Sequence, residues 1–101
     1  MQHITVDELK ARMDNGEHIN LIDVREPFEY AEFNIGGKLI PLGKITSFQL
    51  EELEDFKNEE LIIHCKAGSR SMTACAVLES AGFTNLKNVT GGVLAWKQKF
   101  G

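Results

Sequence analysis

The fold of this chain is decided by one stretch near its middle, Ile62-Ile63-His64-Cys65-Lys66-Ala67-Gly68-Ser69-Arg70-Ser71. The apolar residues 61–63 predict a short buried strand, and Gly68 permits a tight turn shortly after it. Helix-favouring residues then run from 69 to about 81, and Gly82 ends them. A strand that leads into a helix through a short turn is typical of α/β proteins, whose ligands bind where strands end and helices begin.

The rest of the chain repeats this alternation of strands and helices. A capping box, Thr5-Val6-Asp7-Glu8, predicts a first helix that stops near Gly16. Further strands are predicted at 20–24, 39–40 and 86–89, and further helices at 28–33, 47–56 and 93–100. The helix at 47–56 is acidic and amphipathic, and its apolar members are Phe48, Leu50, Leu53 and Phe56. The pattern predicts an α/β sandwich with a largely parallel sheet.

Length and composition limit the classes of protein to which the chain can belong. Its 101 residues support one domain over 1–101, and 43% hydrophobic with 26% charged residues is ordinary for a soluble globular protein. With 15 acidic and 11 basic residues, the net charge is −4, which argues against a general nucleic-acid binder. No apolar run approaches the ~20 residues of a membrane span, and the first residues do not resemble a signal peptide. We therefore expect a cytoplasmic protein without membrane or nucleic-acid partners, whose two cysteines, Cys65 and Cys75, are reduced thiols.

Cys65 stands at the end of a predicted strand, where we expect it to be reactive. Backbone amides of the turn and of the first helical turn would converge on its sulfur, and Lys66 and Arg70 add positive charge. Such surroundings lower the pKa of a thiol below its usual value of about 8.5. An ionised thiol in an anion-binding turn is suited to covalent catalysis on an anionic substrate. A buried structural cysteine is the alternative, but it would need neither the glycine turn nor the two cations.

Five motifs, in the same order along the chain, resemble those of the rhodanese-like domain family over about residues 3 to 100. They are Asp23-Val24-Arg25-Glu26-Pro27, Leu39-Ile40-Pro41-Leu42, Cys65-x-x-Gly68-x-Arg70-Ser71, Gly82-Phe83 and Gly91-Gly92-x-x-Ala95-Trp96. The resemblance implies a three-layer sandwich in which helices cover both faces of a mostly parallel five-stranded sheet. One stretch departs from the family, because residues 34–37 stand where it commonly has His-Ile-x-Gly-Ala and are one residue shorter. We expect this difference to alter a loop near the site but not the chemistry of the cysteine.

The resemblance also implies a sulfurtransferase that works by double displacement. The catalytic residue would be Cys65, which takes a sulfur atom from thiosulfate or a persulfide and holds it until a thiol or cyanide acceptor removes it. The small anionic donor would be bound by five residues of the loop, Lys66, Ala67, Gly68, Ser69 and Arg70. No cofactor is implied, and His3 and His18 lack the spacing of metal ligands.

Other functions are compatible with parts of the sequence. His64-Cys65 followed by Arg70-Ser71 resembles the His-Cys-x5-Arg signature of protein tyrosine phosphatases, but four residues rather than five separate Cys65 from Arg70. The sequence also identifies no Asp as the acid that a phosphatase needs. A regulatory binding module would typically lack the cysteine, whereas a protein-to-protein sulfur relay, with a partner protein as acceptor, stays open.

Several residues near the motifs are interpreted as structural. His64 should face the opposite side of the sheet from Cys65 and make a structural hydrogen bond. Cys75 and Met72 should pack against the core on the following helix, and Trp96 should anchor the last helix.

Asp23 and Arg25 match the pair that the family has after its second strand, and they are interpreted mainly as scaffold. Asp23 is expected to accept hydrogen bonds from turn amides, and Arg25 to pair with Glu29 or another nearby acid. The less favoured alternative places Arg25 at the rim of the site.

Overall fold

A single sheet of five strands forms the centre of the protein in the computed structural model, which describes residues 1–101. The strands are β1 Gln2–Ile4, β2 Leu21–Asp23, β3 Lys38–Leu39, β4 Leu61–His64 and β5 Leu86–Val89. They lie in the order β1-β5-β4-β2-β3, and all four neighbouring pairs are parallel. The predicted parallel sheet is therefore confirmed, and the carboxyl ends of its strands share one edge.

Helices cover both faces of this sheet, which confirms the three-layer sandwich. They are α1 Val6–Asp14, α2 Pro27–Glu32, α3 Leu42–Thr46, α4 Ser69–Ser80 and α5 Gly92–Phe100, with a 3₁₀ segment at Glu51–Phe56. A cluster of 14 buried residues joins one face of the sheet to α3, the 3₁₀ segment and α4. A second cluster, of 7 buried residues including Leu9 and Trp96, joins the other face to α1 and α5. No helix has both the length and the hydropathy of a transmembrane span.

The central strand β4 determines which way the residues around the cysteine point. Ile62 and Ile63 are both fully buried, but they belong to the two different core clusters because strand side chains alternate between faces. His64 and Cys65 continue that alternation, so they project to opposite sides of the sheet, as predicted. Cys65 lies with the cluster under α4, while the register pairs His64 with Asp23 of β2.

The sequence prediction was wrong for residues 47–56, which do not form one amphipathic helix. Instead, α3 begins directly after Pro41, before the predicted helix would start. It ends at Ser47, whose hydroxyl donates to the Gly43 carbonyl at 2.7 Å. Phe48 then adopts a left-handed backbone with φ of 59° and is 60% exposed, so it is not part of the apolar face. Only Leu50 and Leu53 of that predicted face are buried.

Two further departures concern short segments. The fifth strand, β1, was not identified in the sequence because it has three residues, two of them exposed, at the edge of the sheet.

The shortened stretch 34–37 closes on itself, since Asn34 accepts from the Gly36 amide at 2.9 Å and donates to the Tyr30 carbonyl at 3.0 Å. A side chain at Gly37 would lie 2.8 Å from the carbonyl oxygen of Leu21, at the amino end of β2. The shortening therefore lies at the amino-terminal edge of the sheet, opposite Cys65, and the expectation that it alters a loop near the site was wrong.

The turn from β5 into α5 supports the chain that follows β4. The amide of Val93 donates to the Cys65 carbonyl and that of Leu94 to the Lys66 carbonyl, each at 2.9 Å. This approach requires glycine, because a Cβ on Gly92 would lie 2.3 Å from the carbonyl oxygen of Cys65 and the φ of Gly92 is 55°. The first amides of α5, which have no partner within the helix, thus hold the carbonyls of the loop.

Replacement of Gly92 by alanine should destabilise the protein more than the same change at Gly82, which also has a positive φ but has open space around its Cα. We expect Gly82→Ala to cost about 1 kcal/mol, the usual cost of a left-handed backbone for a residue with a Cβ. Gly92→Ala should cost at least ~2 kcal/mol more, because the loop or α5 must move. Urea denaturation gives both free energies of unfolding, and equal values for the two variants would contradict this account of the turn.

Candidate active site

The sulfur of Cys65 lies in a ring of hydrogen-bond donors just beyond the carboxyl end of β4. The backbone amides of Gly68 and Ser71 point at Sγ from 3.1 and 3.4 Å, and the Ser71 hydroxyl lies 3.5 Å from it. Gly68 makes this geometry possible, because it adopts a φ of 114° immediately before α4. The residue is 1% exposed, so the sulfur is held almost entirely by protein groups.

These donors make Cys65 electrostatically different from the other cysteine. Burial acts to raise the pKa of the Cys65 thiol, but the Ser71 hydroxyl and the amides of Ser71, Gly68 and Ala67 outweigh it and leave that pKa below its ordinary value. Cys75 has no such donors, and burial raises the pKa of its thiol to about 12. Cys75 is fully buried in the cluster of 14 core residues to which α4 contributes, as predicted. Neither cysteine forms a disulfide.

Ser71 and Asn88 form a buried polar pair behind the loop, and the sequence analysis gave neither of them a role. The Ser71 hydroxyl lies 2.9 Å from the Gly68 carbonyl oxygen and is in hydrogen-bonding contact with the Asn88 side chain as well as with Sγ, and its single proton is donated to one of these groups at a time. Asn88 in turn lies 3.4 Å from the Nδ1 atom of His3. A signal was available, since Asn88 is a polar residue near the carboxyl end of a strand, where α/β proteins bind their ligands. The pair fixes the hydroxyl that faces the sulfur.

Of the two cations expected to stabilise the thiolate, neither donates a hydrogen bond to it. Lys66 is exposed and forms neither an ion pair nor a side-chain hydrogen bond. Arg70 is bound in a bidentate ion pair by Glu29 of α2, with Nη1–Oε1 at 2.7 Å and Nη2–Oε2 at 2.9 Å. This pair holds the pKa of Glu29 at about 2 and raises the pKa of Arg70. The sequence analysis missed it because the partners are separated by 41 positions.

The remaining residues of the loop have smaller parts. Ala67 contributes a backbone amide to the surroundings of Sγ. Ser69 begins α4 and its carbonyl accepts from the Thr73 hydroxyl, without contact to the sulfur. Met72 is 46% exposed, so the prediction that it packs in the core was wrong; it faces outward on α4 beside the loop.

Asp23 and Arg25 form a buried ion pair behind the site, as the scaffold interpretation predicts. The Arg25 guanidinium donates to Asp23 from Nε at 3.0 Å and from Nη2 at 2.8 Å, and Nη2 also donates to the Phe33 carbonyl. Asp23 accepts the backbone amide of Arg25 at 3.0 Å, which is the expected turn contact. Arg25 is 3% exposed and lines the groove beside Lys66, while its Nε and Nη2 atoms are engaged by Asp23 and the Phe33 carbonyl.

His64 lies on the same side of the sheet as this ion pair, and the prediction that it makes a structural hydrogen bond was wrong. Its side chain is fully buried, and neither ring nitrogen has a hydrogen-bond partner. The nearest charged atom is Oδ2 of Asp23, 3.8 Å from Nε2. Burial lowers the pKa of His64, so the ring is neutral.

A groove opens beside the loop, between α2 and α5. It is bordered by Phe28 and Leu94, which are 71% and 50% exposed, and by the side chains of Lys66 and Lys97. Glu29 lies in the same groove, next to Arg70. Nowhere in the chain do three His, Cys, Asp or Glu side chains come together as a metal site would require.

The chain resembles several proteins whose structure or sequence is known. A crystal structure of a rhodanese-like domain protein from Staphylococcus aureus is 37% identical and superposes with a TM-score of 0.80, covering 95% of this chain and 91% of that one. The human single-domain sulfurtransferase is 25% identical with a TM-score of 0.82, covering 100% and 99%.

Relatives with known sequences carry the same domain within proteins of different lengths. A protein named sulfurtransferase from Allochromatium vinosum is 30% identical over 96 residues, which is 95% of this chain and 88% of that protein. The Mycobacterium tuberculosis protein named "Probable adenylyltransferase/sulfurtransferase MoeZ" is 37% identical over 98 residues, but the chain spans only 24% of its length. The family model for the rhodanese-like domain matches residues 5–99. The chain therefore belongs to the rhodanese-like domain family.

Proposed function

We propose that this protein is a sulfurtransferase that carries sulfane sulfur as a persulfide on Cys65. The observation that carries the proposal is the convergence of the Gly68 and Ser71 amides and the Ser71 hydroxyl on one buried sulfur atom. Related proteins of the family are named sulfurtransferases, including one that this chain covers over 88% of its length. Both cysteines are free thiols, which supports a reducing compartment such as the cytoplasm.

The reaction proceeds in two displacements at sulfur. The Cys65 thiolate attacks the outer sulfur of thiosulfate, a new S–S bond forms, and the donor's S–S bond breaks so that sulfite leaves with the electron pair. An acceptor such as cyanide or a thiolate then attacks the outer sulfur of the Cys65 persulfide, and the Cys65 thiolate leaves. No dedicated general base is required, because the loop donors lower the pKa of the thiol and so favour the thiolate.

The same donors suit the intermediate. A persulfide carries its negative charge on the outer sulfur, and the loop amides that point at Sγ are donors of the kind that stabilise an anion bound beside it. Their positions are fixed before the reaction, since the loop carbonyls are held by the amides of Val93 and Leu94. Stabilisation by groups that need no rearrangement is the most effective kind in a buried site.

Phosphatase chemistry is not supported by these residues. The loop has four residues between Cys65 and Arg70, and Arg70 is occupied by Glu29 rather than open to a phosphoryl group. A phosphatase also needs a protonated acid near the leaving oxygen. Glu29, with a pKa of about 2, is ionised at neutral pH, and Asp23 is buried in its pair with Arg25.

A protein as sulfur acceptor is the second candidate, and a specific observation supports it. Phe28 and Leu94 expose large apolar side chains on the groove beside the loop, and Lys66 and Lys97 border the same groove. Such a surface can contact a partner as well as a small molecule. A purely regulatory module would need no activated thiol, so the pKa difference between Cys65 and Cys75 argues against it.

Replacement of Cys65 by serine should abolish transfer of sulfur from thiosulfate to cyanide, whereas Cys75→Ala should leave most of it. The reason is that only Cys65 has hydrogen-bond donors to its sulfur, while Cys75 is a packed core residue. Thiocyanate formation measures the activity of both variants. Full activity in Cys65→Ser, or its loss in a folded Cys75→Ala protein, would overturn the proposal.

Lys66 and Arg70 should contribute differently to the capture of the donor. Lys66→Gln should mainly raise KM for thiosulfate, because Lys66 is an exposed point charge. Arg70→Lys keeps the charge but cannot hold the Glu29 carboxylate through two parallel hydrogen bonds, so the loop loses a brace to α2. This loss should lower kcat/KM for donors of any charge alike, by the equivalent of about 1–3 kcal/mol in activation free energy. Steady-state kinetics over a range of ionic strengths separates the two effects, and wild-type kinetics in Arg70→Lys would show that Arg70 acts as a charge alone.

A further inference from the structure

Glu29 places a fixed negative charge at the mouth of a site that is expected to receive an anion. It is the third residue of α2, and its Oε1 atom accepts from the Glu26 amide at 2.9 Å as well as from Arg70. Its side chain is 15% exposed and lies in the groove that Lys66 also borders. The carboxylate is therefore held in position from two directions, and it cannot swing away without giving up the cap of α2.

This charge changes the electrostatic balance beside Cys65. The sequence places two cations in the loop, but Glu29 offsets one of them and occupies both terminal nitrogens of the Arg70 guanidinium. An anion that approaches the sulfur is attracted by Lys66 and repelled by Glu29. To bind its oxygens to Arg70 it must displace a bidentate carboxylate, which is among the stronger hydrogen-bonded pairs.

We propose that Glu29 is a specificity-determining residue, which disfavours small dianionic sulfur donors such as thiosulfate relative to donors of lower charge, such as thiosulfonates and organic persulfides. The inference rests on the proposed function of Cys65. Glu29 takes no part in the sulfur-transfer step and acts only on which donor, by its charge, reaches the thiolate.

The charge effect can be measured without sulfur transfer, by comparing alkylation of Cys65 with iodoacetamide, which is neutral, and iodoacetate, which is an anion. The two reagents have the same reactive carbon, so the ratio of their rates reports the potential at the sulfur. Glu29→Gln should raise the iodoacetate-to-iodoacetamide ratio by about five- to tenfold at low salt, and less as salt is added. Glu29→Asp keeps the charge and should leave the ratio within about twofold of wild type.

Glu32→Gln is the matched control, because Glu32 lies on the same helix and the same groove but forms no ion pair. It should change the ratio by less than about twofold. If Glu29→Gln does not fold, as judged by circular dichroism, Glu29→Ala replaces it with the same expected direction. An unchanged or lowered ratio in the folded Glu29 variant, or an equal rise in Glu32→Gln, would overturn the proposal.

Donor kinetics then complete the test. In Glu29→Gln, kcat/KM for thiosulfate should rise about five- to tenfold relative to kcat/KM for a monoanionic thiosulfonate. A ratio of the two constants that stays at the wild-type value would also overturn the role of Glu29. If the wild-type protein transfers sulfur from neither donor, the proposed function fails, while the alkylation ratio still decides whether Glu29 repels anions at Cys65.

Discussion

The rest of this site depends on one interaction, the hydrogen bonds from backbone amides to the sulfur of Cys65. A buried thiolate is costly unless donors surround it, and here the chain itself supplies them as it turns from β4 into α4. The turn needs Gly68 in a conformation that other residues rarely adopt. It also needs its carbonyls satisfied on the other side, which is the task of the first amides of α5. The central strand and α4 therefore meet at one atom, and α5 holds the loop that surrounds it.

This arrangement separates two tasks that the sequence assigns to the same residues. Lys66 and Arg70 were expected both to ionise the thiol and to attract the donor. In the structure, neutral groups lower the pKa of the thiol, namely the loop amides and the Ser71 hydroxyl. It leaves Lys66 free at the surface and pairs Arg70 with Glu29. The charge seen by a donor is thus set outside the loop, on α2, where it can be changed without disturbing the environment of the sulfur.

The parts of the molecule that follow from local sequence were predictable. The order of strands and helices, the parallel sheet and the position of Cys65 after β4 all follow from apolar runs, capping residues and glycines that are neighbours in the chain. The failures at 47–56 and β1 arose where a segment is short or where a side chain such as Ser47 competes for the backbone. In both cases the composition of the segment was compatible with more than one structure.

The parts of the site that were missed depend on contacts between distant residues. Asn88 meets Ser71 across 17 positions, and Glu29 meets Arg70 across 41, so no local pattern reveals either pair. His64 was assigned correctly to the far side of the sheet, because the pleat determines that, but its lack of a hydrogen-bond partner depends on what packs there. Side-chain direction can be derived from the strand, whereas the partner that a side chain finds cannot.

The central claim is that the loop donors make Cys65 a thiolate, and the pKa of Cys65 tests it most directly. Alkylation by iodoacetamide, followed across pH by mass spectrometry of the Cys65 peptide, gives that pKa in the wild type and in Ser71→Ala. Because donors lower the pKa, the wild-type midpoint should lie below the value of about 8.5 for a free thiol, and loss of the Ser71 hydroxyl should raise it. A wild-type midpoint at or above that of free cysteine, measured under the same conditions, would contradict the account.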